Sequence, residues 1–97
     1  MKRYFVYILS SGRGVLYTGV TNDLTRRVNQ HRIESGGLTH HYRVGRLVYW
    51  EEPGDIRTAI ARERQIKGWT RSRKLDLVRT ANPSFRDLSD DLQDQHP

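Results

Sequence analysis

The chain has 97 residues, 35% hydrophobic and 29% charged, which suits one compact domain with a heavily charged surface and leaves no run near the roughly 18 to 20 apolar residues of a membrane span. It has no cysteine, which excludes disulfides, thiolate catalysis and cysteine zinc sites and suits a reducing compartment, so a cytoplasmic location is expected. The net charge of +6 divides into +9 over residues 1–83 (sixteen Lys and Arg against seven Asp and Glu) and −3 over residues 84–97 (one Arg against four Asp), and a basic surface of that size points to a polyanion, most often nucleic acid, with acidic lipid or plain solubility as the alternative.

The opening MKRYFVYIL is basic and then apolar, but its apolar part is too short for a secretory signal and no small-residue cleavage site follows, so it reads as a strand. Residues 4–9 and 15–20 are rich in β-branched and aromatic side chains around Ser10-Ser11-Gly12-Arg13-Gly14, the pattern of a β-hairpin. A three-residue loop over Ser11–Arg13 places Ser10 opposite Gly14 and Tyr7 directly opposite Tyr17, with Cβ atoms about 5 Å apart. Such a tyrosine pair is either cross-strand packing or part of a site.

Thr21 or Asn22 is expected to cap a first helix, with Asp23 in its first turn and Gly36-Gly37 ending it after about Glu34. At 100° per residue Leu24, Arg27, Val28 and His31 share one stripe, so an Arg and a His one turn apart lie where core-facing residues belong. They are either a snorkelling arginine and a satisfied half-buried histidine, or site residues. The Gly-rich loop 35–45 carries His40 and His41; either histidine could touch a phosphate or a substrate, but no spacing there resembles a metal-binding pair. Residues 46–50, RLVYW, read as a third strand stopped by Glu51-Glu52-Pro53-Gly54.

Asp55 is expected to cap a second helix that ends at Gly68, with Ile56, Ala59, Ile60 and Ile66 as its apolar stripe. Glu63 falls inside that stripe beside Lys67. A carboxylate there costs several kcal/mol unless it is paired, hydrogen-bonded or bound to a metal. Either it makes an i, i+4 ion pair with Lys67, or it holds a divalent cation completed by water and a substrate phosphate, as magnesium usually is. A third helix from Thr70 to about Thr80 carries Arg71, Arg73, Lys74 and Arg79, which together with Trp69 and Lys67 suit a nucleic-acid backbone. Asn82-Pro83 closes the basic domain, and the acidic tail over 84–97 is expected to dock Phe85 and Leu88 before fraying.

Tyrosines, Arg27 with His31, and Glu63 thus converge from three elements as a kit for phosphodiester hydrolysis: a base for water, a cation for the developing charge, and a Lewis acid on a carboxylate. The same residues resemble the GIY-YIG nuclease superfamily, and within it a short, stand-alone bacterial branch. The likeness lies in Val6-Tyr7-Ile8, in Tyr17-Thr18-Gly19 about ten residues on, and in Arg27 with His31 four residues later. It continues in RLVYWEE, in AIARERQIKGW with Glu63, and in NPSFRDL. Phe5 stands where the superfamily name places glycine, Thr18 replaces its isoleucine, and Val20 stands where some relatives place a cation.

The resemblance implies an α+β fold, a small three-stranded antiparallel sheet flanked by helices, and metal-dependent endonuclease activity with Mg2+ or Mn2+ on Glu63. By motif position it implies that Tyr7 activates the water and Tyr17 orients it, the reverse being the alternative, with Arg27 as the transition-state cation and His31 as its helper. Asn82 occupies a place comparable to a terminal asparagine lining some superfamily sites. DNA is the expected partner ahead of RNA, with structure-selective or weakly selective cleavage, because the short branch is expected to carry no appended DNA-binding domain. A non-catalytic nucleic-acid-binding module, or a subunit working with a protein partner or as a homodimer, is the alternative.

Overall fold

A computed structural model describes residues 2–12, 14–38 and 44–93. The chain runs β1 (Phe5–Ser11), β2 (Leu16–Thr21), α1 (Leu24–Leu38), β3 (Val44–Glu51), α2 (Ile56–Lys67), α3 (Arg71–Ala81) and the short α4 (Ser89–Gln93). The three strands form one antiparallel sheet in the order β2-β1-β3 with helices on both faces, the α+β arrangement expected. β1 is buried along its whole length because both faces are covered. Its odd residues Phe5, Tyr7 and Leu9 pack with Leu24 and Val28 of α1, Leu47 and Leu92. Its even residues Val6 and Ile8 pack with Val48 and Tyr49, Ala59 and Ile66 of α2, and Val78 of α3.

The hairpin register differs from the expected one by two residues. Tyr7 lies opposite Gly19, and Tyr17 lies opposite Leu9. The cause is the turn: Gly14 takes the left-handed conformation at φ 82°, and Ser11 bonds across to Val15 (N to O, 3.0 Å). Because side chains alternate with a period of two, a two-residue slip keeps both tyrosines on one face and only makes them diagonal neighbours.

Asp23, rather than Thr21 or Asn22, caps α1: its Oδ1 accepts from the Arg26 amide at 3.1 Å, while Thr21 Oγ1 accepts from the Asp23 amide at 3.1 Å. The helix continues through Gly36-Gly37 to Leu38, since each glycine costs about 1 kcal/mol without forbidding helix. Asp55 and Thr70 cap α2 and α3 by accepting from the amides of Thr58 (2.7 Å) and Arg73 (3.2 Å). α2 buries a narrower stripe than expected: Ala59 and Ile66 are inside, but Ile56 and Ile60 are exposed.

β3 is longer than the expected 46–50 and has two irregularities. Pairing steps from Leu9↔Leu47 to Ile8↔Tyr49, leaving Val48 over, and from Ser10↔Arg46 to Ser11↔Val44, leaving Gly45 over. Side chains take up both extra carbonyls, Asn82 Nδ2 donating to Val48 O (3.0 Å) and Arg32 Nε to Gly45 O (2.9 Å). The C-terminal segment then lies along the same strand. Leu88 N donates to Leu47 O at 2.7 Å, and Asp87 Oδ1 accepts from Leu47 N at 3.2 Å. No helix among the described residues is long and apolar enough to cross a membrane.

Candidate active site

β1 carries Tyr7 into the core beneath α1, where it is 1% exposed. Its ring occupies the space left by Gly19 on β2: a Cβ built on Gly19 would stand 2.5 Å from Tyr7 Cζ, far inside van der Waals contact. The glycine of the second triplet is therefore a steric condition for where the tyrosine of the first one lies. Its motif position marked it in the sequence, but the reason appears only with the register.

α1 brings His31 between the two tyrosines. Its Nε2 is 3.3 Å from Tyr7 Oη, and its ring centre is 4.9 Å from that of Tyr17. The Tyr7–His31 bond runs in whichever direction the imidazole tautomer allows. The tyrosine rings are 6.3 Å apart. Tyr17 is 41% exposed, so the cluster has a buried hydroxyl and an accessible ring.

Arg27, one turn before His31, and Glu63, from α2 across the sheet, both come within electrostatic reach of the Tyr7 hydroxyl. Burial is the main force pushing the Tyr7 pKa up, to about 12; Tyr17 and Glu63 add to the rise while Arg27 opposes it. Tyr7 thus keeps its proton at neutral pH. Glu63 is mostly buried, its side chain 16% exposed, and pairs with Lys67 at 3.3 Å. The ion-pair alternative for Glu63 is present, and the Lys67 ammonium marks a place where the carboxylate already takes positive charge.

Among the described residues no three His, Asp or Glu side chains gather to hold a metal. A single carboxylate does not make a zinc site. It does fit magnesium or manganese, which retain several waters and take the rest of their shell from substrate phosphate. Glu63 is the residue that would hold such an ion.

The other expected substrate contacts fall in different places. Arg71, Arg73 and Lys74 belong to α3, on the opposite face of the sheet from α1. There the Arg73 guanidinium is 4.3 Å and that of Arg62 5.2 Å from the centre of the Trp69 ring. Arg71 lies against the hairpin turn at Gly14. His40 and His41 lie outside the described residues. Asn82 is buried and its amide is engaged by the chain itself: Nδ2 donates to Val48 O and to Arg86 O (2.9 Å), and Oδ1 accepts from Arg86 N (3.2 Å). Asn82 thus joins β3 to the C-terminal segment.

Arg32 and Asp87 escaped the sequence reading although they brace α1. Arg32 Nη2 meets Asp87 Oδ2 at 2.6 Å and Ser89 Oγ at 2.7 Å, and Asp87 Oδ1 also accepts from the amide (3.0 Å) and hydroxyl (2.7 Å) of Ser89. Since Arg32 follows His31 directly, this knot fixes the helix turn that presents the imidazole.

The sequence pattern of the GIY-YIG catalytic domain matches residues 3–76. A UPF0213 protein of Desulfotalea psychrophila is 37% identical over 84 residues, covering 84% of this chain and 76% of the relative. One of Staphylococcus aureus is 39% identical over 80 residues, covering 81% and 98%. The solution NMR structure of a UPF0213 protein from Bacillus halodurans superposes with a TM-score of 0.58 at 29% identity, covering 88% of this chain and 92% of that one. With the motif residues Tyr7, Tyr17, Arg27 and Glu63 gathered around one buried hydroxyl, the chain belongs to the GIY-YIG catalytic-domain family.

Proposed function

We propose that the protein is a divalent-metal-dependent endonuclease that hydrolyses phosphodiester bonds, with DNA as its substrate. The observation that carries this reading is the meeting of Tyr7, Tyr17, His31, Arg27 and Glu63 from four elements around one hydroxyl. An inward carboxylate and an inward arginine have little purpose in a module that only binds.

A tyrosine whose pKa is near 12 is a poor base alone, so the Tyr7–His31 pair acts as one unit. Tyr7 Oη takes the proton of the attacking water as its own proton passes to His31 Nε2, 3.3 Å away, leaving a neutral phenol and an imidazolium. Tyr17, with its accessible ring, orients the water. Arg27 neutralises charge growing on the phosphorane oxygens. Glu63 holds the magnesium or manganese ion, which when bound supplies Lewis-acid stabilisation at the leaving oxygen. Lys67, whose ammonium lies beside Glu63, meets a phosphate next to the one that is cut.

The test is cleavage of labelled duplex, branched and single-stranded DNA by the purified chain with magnesium or with EDTA, beside Arg27→Ala and Glu63→Gln. Each substitution is expected to lower the rate by on the order of 10²-fold or more. The Tyr7→Phe/His31→Ala double variant should be little slower than either single one, as for residues acting together. Equal cleavage by wild type and both site variants would mark a contaminant and end the assignment. Salt-sensitive binding without any cleavage would leave a nucleic-acid-binding module.

A further inference from the structure

On the pole of α1 opposite Leu24 and Val28, Arg26, Asn29, Gln30 and Ile33 repeat at helical spacing, and Asn22, just ahead of the Asp23 cap, lies beside Arg26 and Gln30. All five are exposed, Ile33 at 77%. They line two adjoining grooves that share Arg26 and Gln30; one holds Asn29 and Ile33, and the other holds Asn22 together with Thr21, Asp23 and Arg27.

The kind of side chain matters here. Five Asn and Gln side chains are described. Gln65 is bonded to Arg62, and Asn82 is bonded within the fold. The other three, Asn22, Asn29 and Gln30, make no side-chain hydrogen bond among the described residues, and all lie on this one face. The α2 and α3 surface is different, since its Arg and Lys side chains suit phosphates. Amides and an arginine with a bare isoleucine suit base edges: Asn and Gln pair with adenine, Arg with guanine, and an aliphatic side chain meets the thymine methyl.

We infer that the outer face of α1 enters the major groove of B-form duplex DNA and reads the base pairs beside the scissile phosphate. This rests on the nuclease reading and deepens it. Arg27 lines a groove with Arg26 and Gln30, at the margin of this face. A B-form major groove, about 12 Å wide, admits a helix, whereas the deep, narrow A-form groove of duplex RNA does not. The cleavage would then carry a short local sequence preference at a fixed offset from the cut.

The experiment selects binders from a randomised DNA duplex library in EDTA, using the full wild-type chain and an Arg26→Ala/Asn29→Ala/Gln30→Ala variant checked for folding by circular dichroism and thermal melting. Wild type should enrich a two- to four-base-pair motif, discriminating on the order of tenfold per position. The variant should lose the motif while binding the unselected library within a few-fold of wild type. Single Asn29→Ala and Gln30→Ala variants should each relax one position. Binding without a motif, a motif retained by the triple variant, or tighter binding to duplex RNA overturns the inference. Plasmid cleavage with magnesium, measured in parallel, separates the two readings. A chain that cuts without a motif loses the groove and keeps the nuclease, and one that enriches a motif without cutting does the reverse.

Discussion

Gly19→Ala is the most direct perturbation of the site because its effect is purely steric. The new Cβ would stand 2.5 Å from Tyr7 Cζ, against an ordinary carbon–carbon contact of about 3.5–4.0 Å, so the ring must withdraw by roughly 1 Å or more. It has little room, being 1% exposed and packed in the core with Leu9, Leu24 and Val28. Overpacking of this kind costs about 1–3 kcal/mol, which in a domain of this size lowers Tm by about 4–8 °C for each kcal/mol. The displaced hydroxyl also leaves His31, so any cleavage activity should fall further than stability does. Urea and thermal unfolding of wild type, Gly19→Ala, Tyr7→Leu and the double variant form a cycle that isolates the contact. Leucine lacks the ring atoms that clash, so the alanine should cost almost nothing in that background. An equal cost in both backgrounds, or a cost under about 0.5 kcal/mol in wild type, would refute the steric argument.

Three further outcomes are expected. The folded chain holds the Tyr7 proton more tightly than the unfolded chain, so the associated stability is full below about pH 10 and lost as pH rises through about 12. Urea midpoints between about pH 9 and pH 11 should therefore fall less steeply for Tyr7→Phe than for wild type. Thr18, 4% exposed, has a hydroxyl without a hydrogen-bond partner among the described residues; Thr18→Val should raise stability by about 1 kcal/mol in denaturant unfolding. Asn82→Ala strips the partner from the Val48 carbonyl and should cost about 1–3 kcal/mol while leaving affinity for DNA in EDTA unchanged; a large loss of affinity at full stability would return Asn82 to the substrate.

Arg27, His31 and Glu63 were legible because each broke a pattern. Arg27 and His31 fell on the apolar stripe of one helix and Glu63 on that of another, and periodicity alone locates such exceptions. The cap Asp55 was legible for a similarly local reason, a side-chain acceptor just ahead of a helical run, whereas Thr70, expected as the first residue of its helix, proves to be its cap. What escaped depended on long-range geometry. The hairpin register turned on which glycine takes the left-handed conformation, and both Gly12 and Gly14 were available. The Arg32–Asp87 pair spans 55 positions in sequence, and each residue alone looks like an ordinary surface charge. Asn82 is bonded to a carbonyl freed by an irregular strand, a partner that no sequence pattern announces.

The C-terminal segment laid along β3 has a consequence for solubility. β3 ends the sheet on one side, and an uncovered strand edge is a template on which a second chain can pair. Leu88 N donates to the outward carbonyl of Leu47 and Asp87 Oδ1 accepts from its amide, and the knot with Arg32 holds them there. The acidic segment that dilutes the charge of a basic protein thus also acts as an edge guard. A chain cut after residue 83 would lose more than a decoration: it would present a bare apolar strand to its own copies.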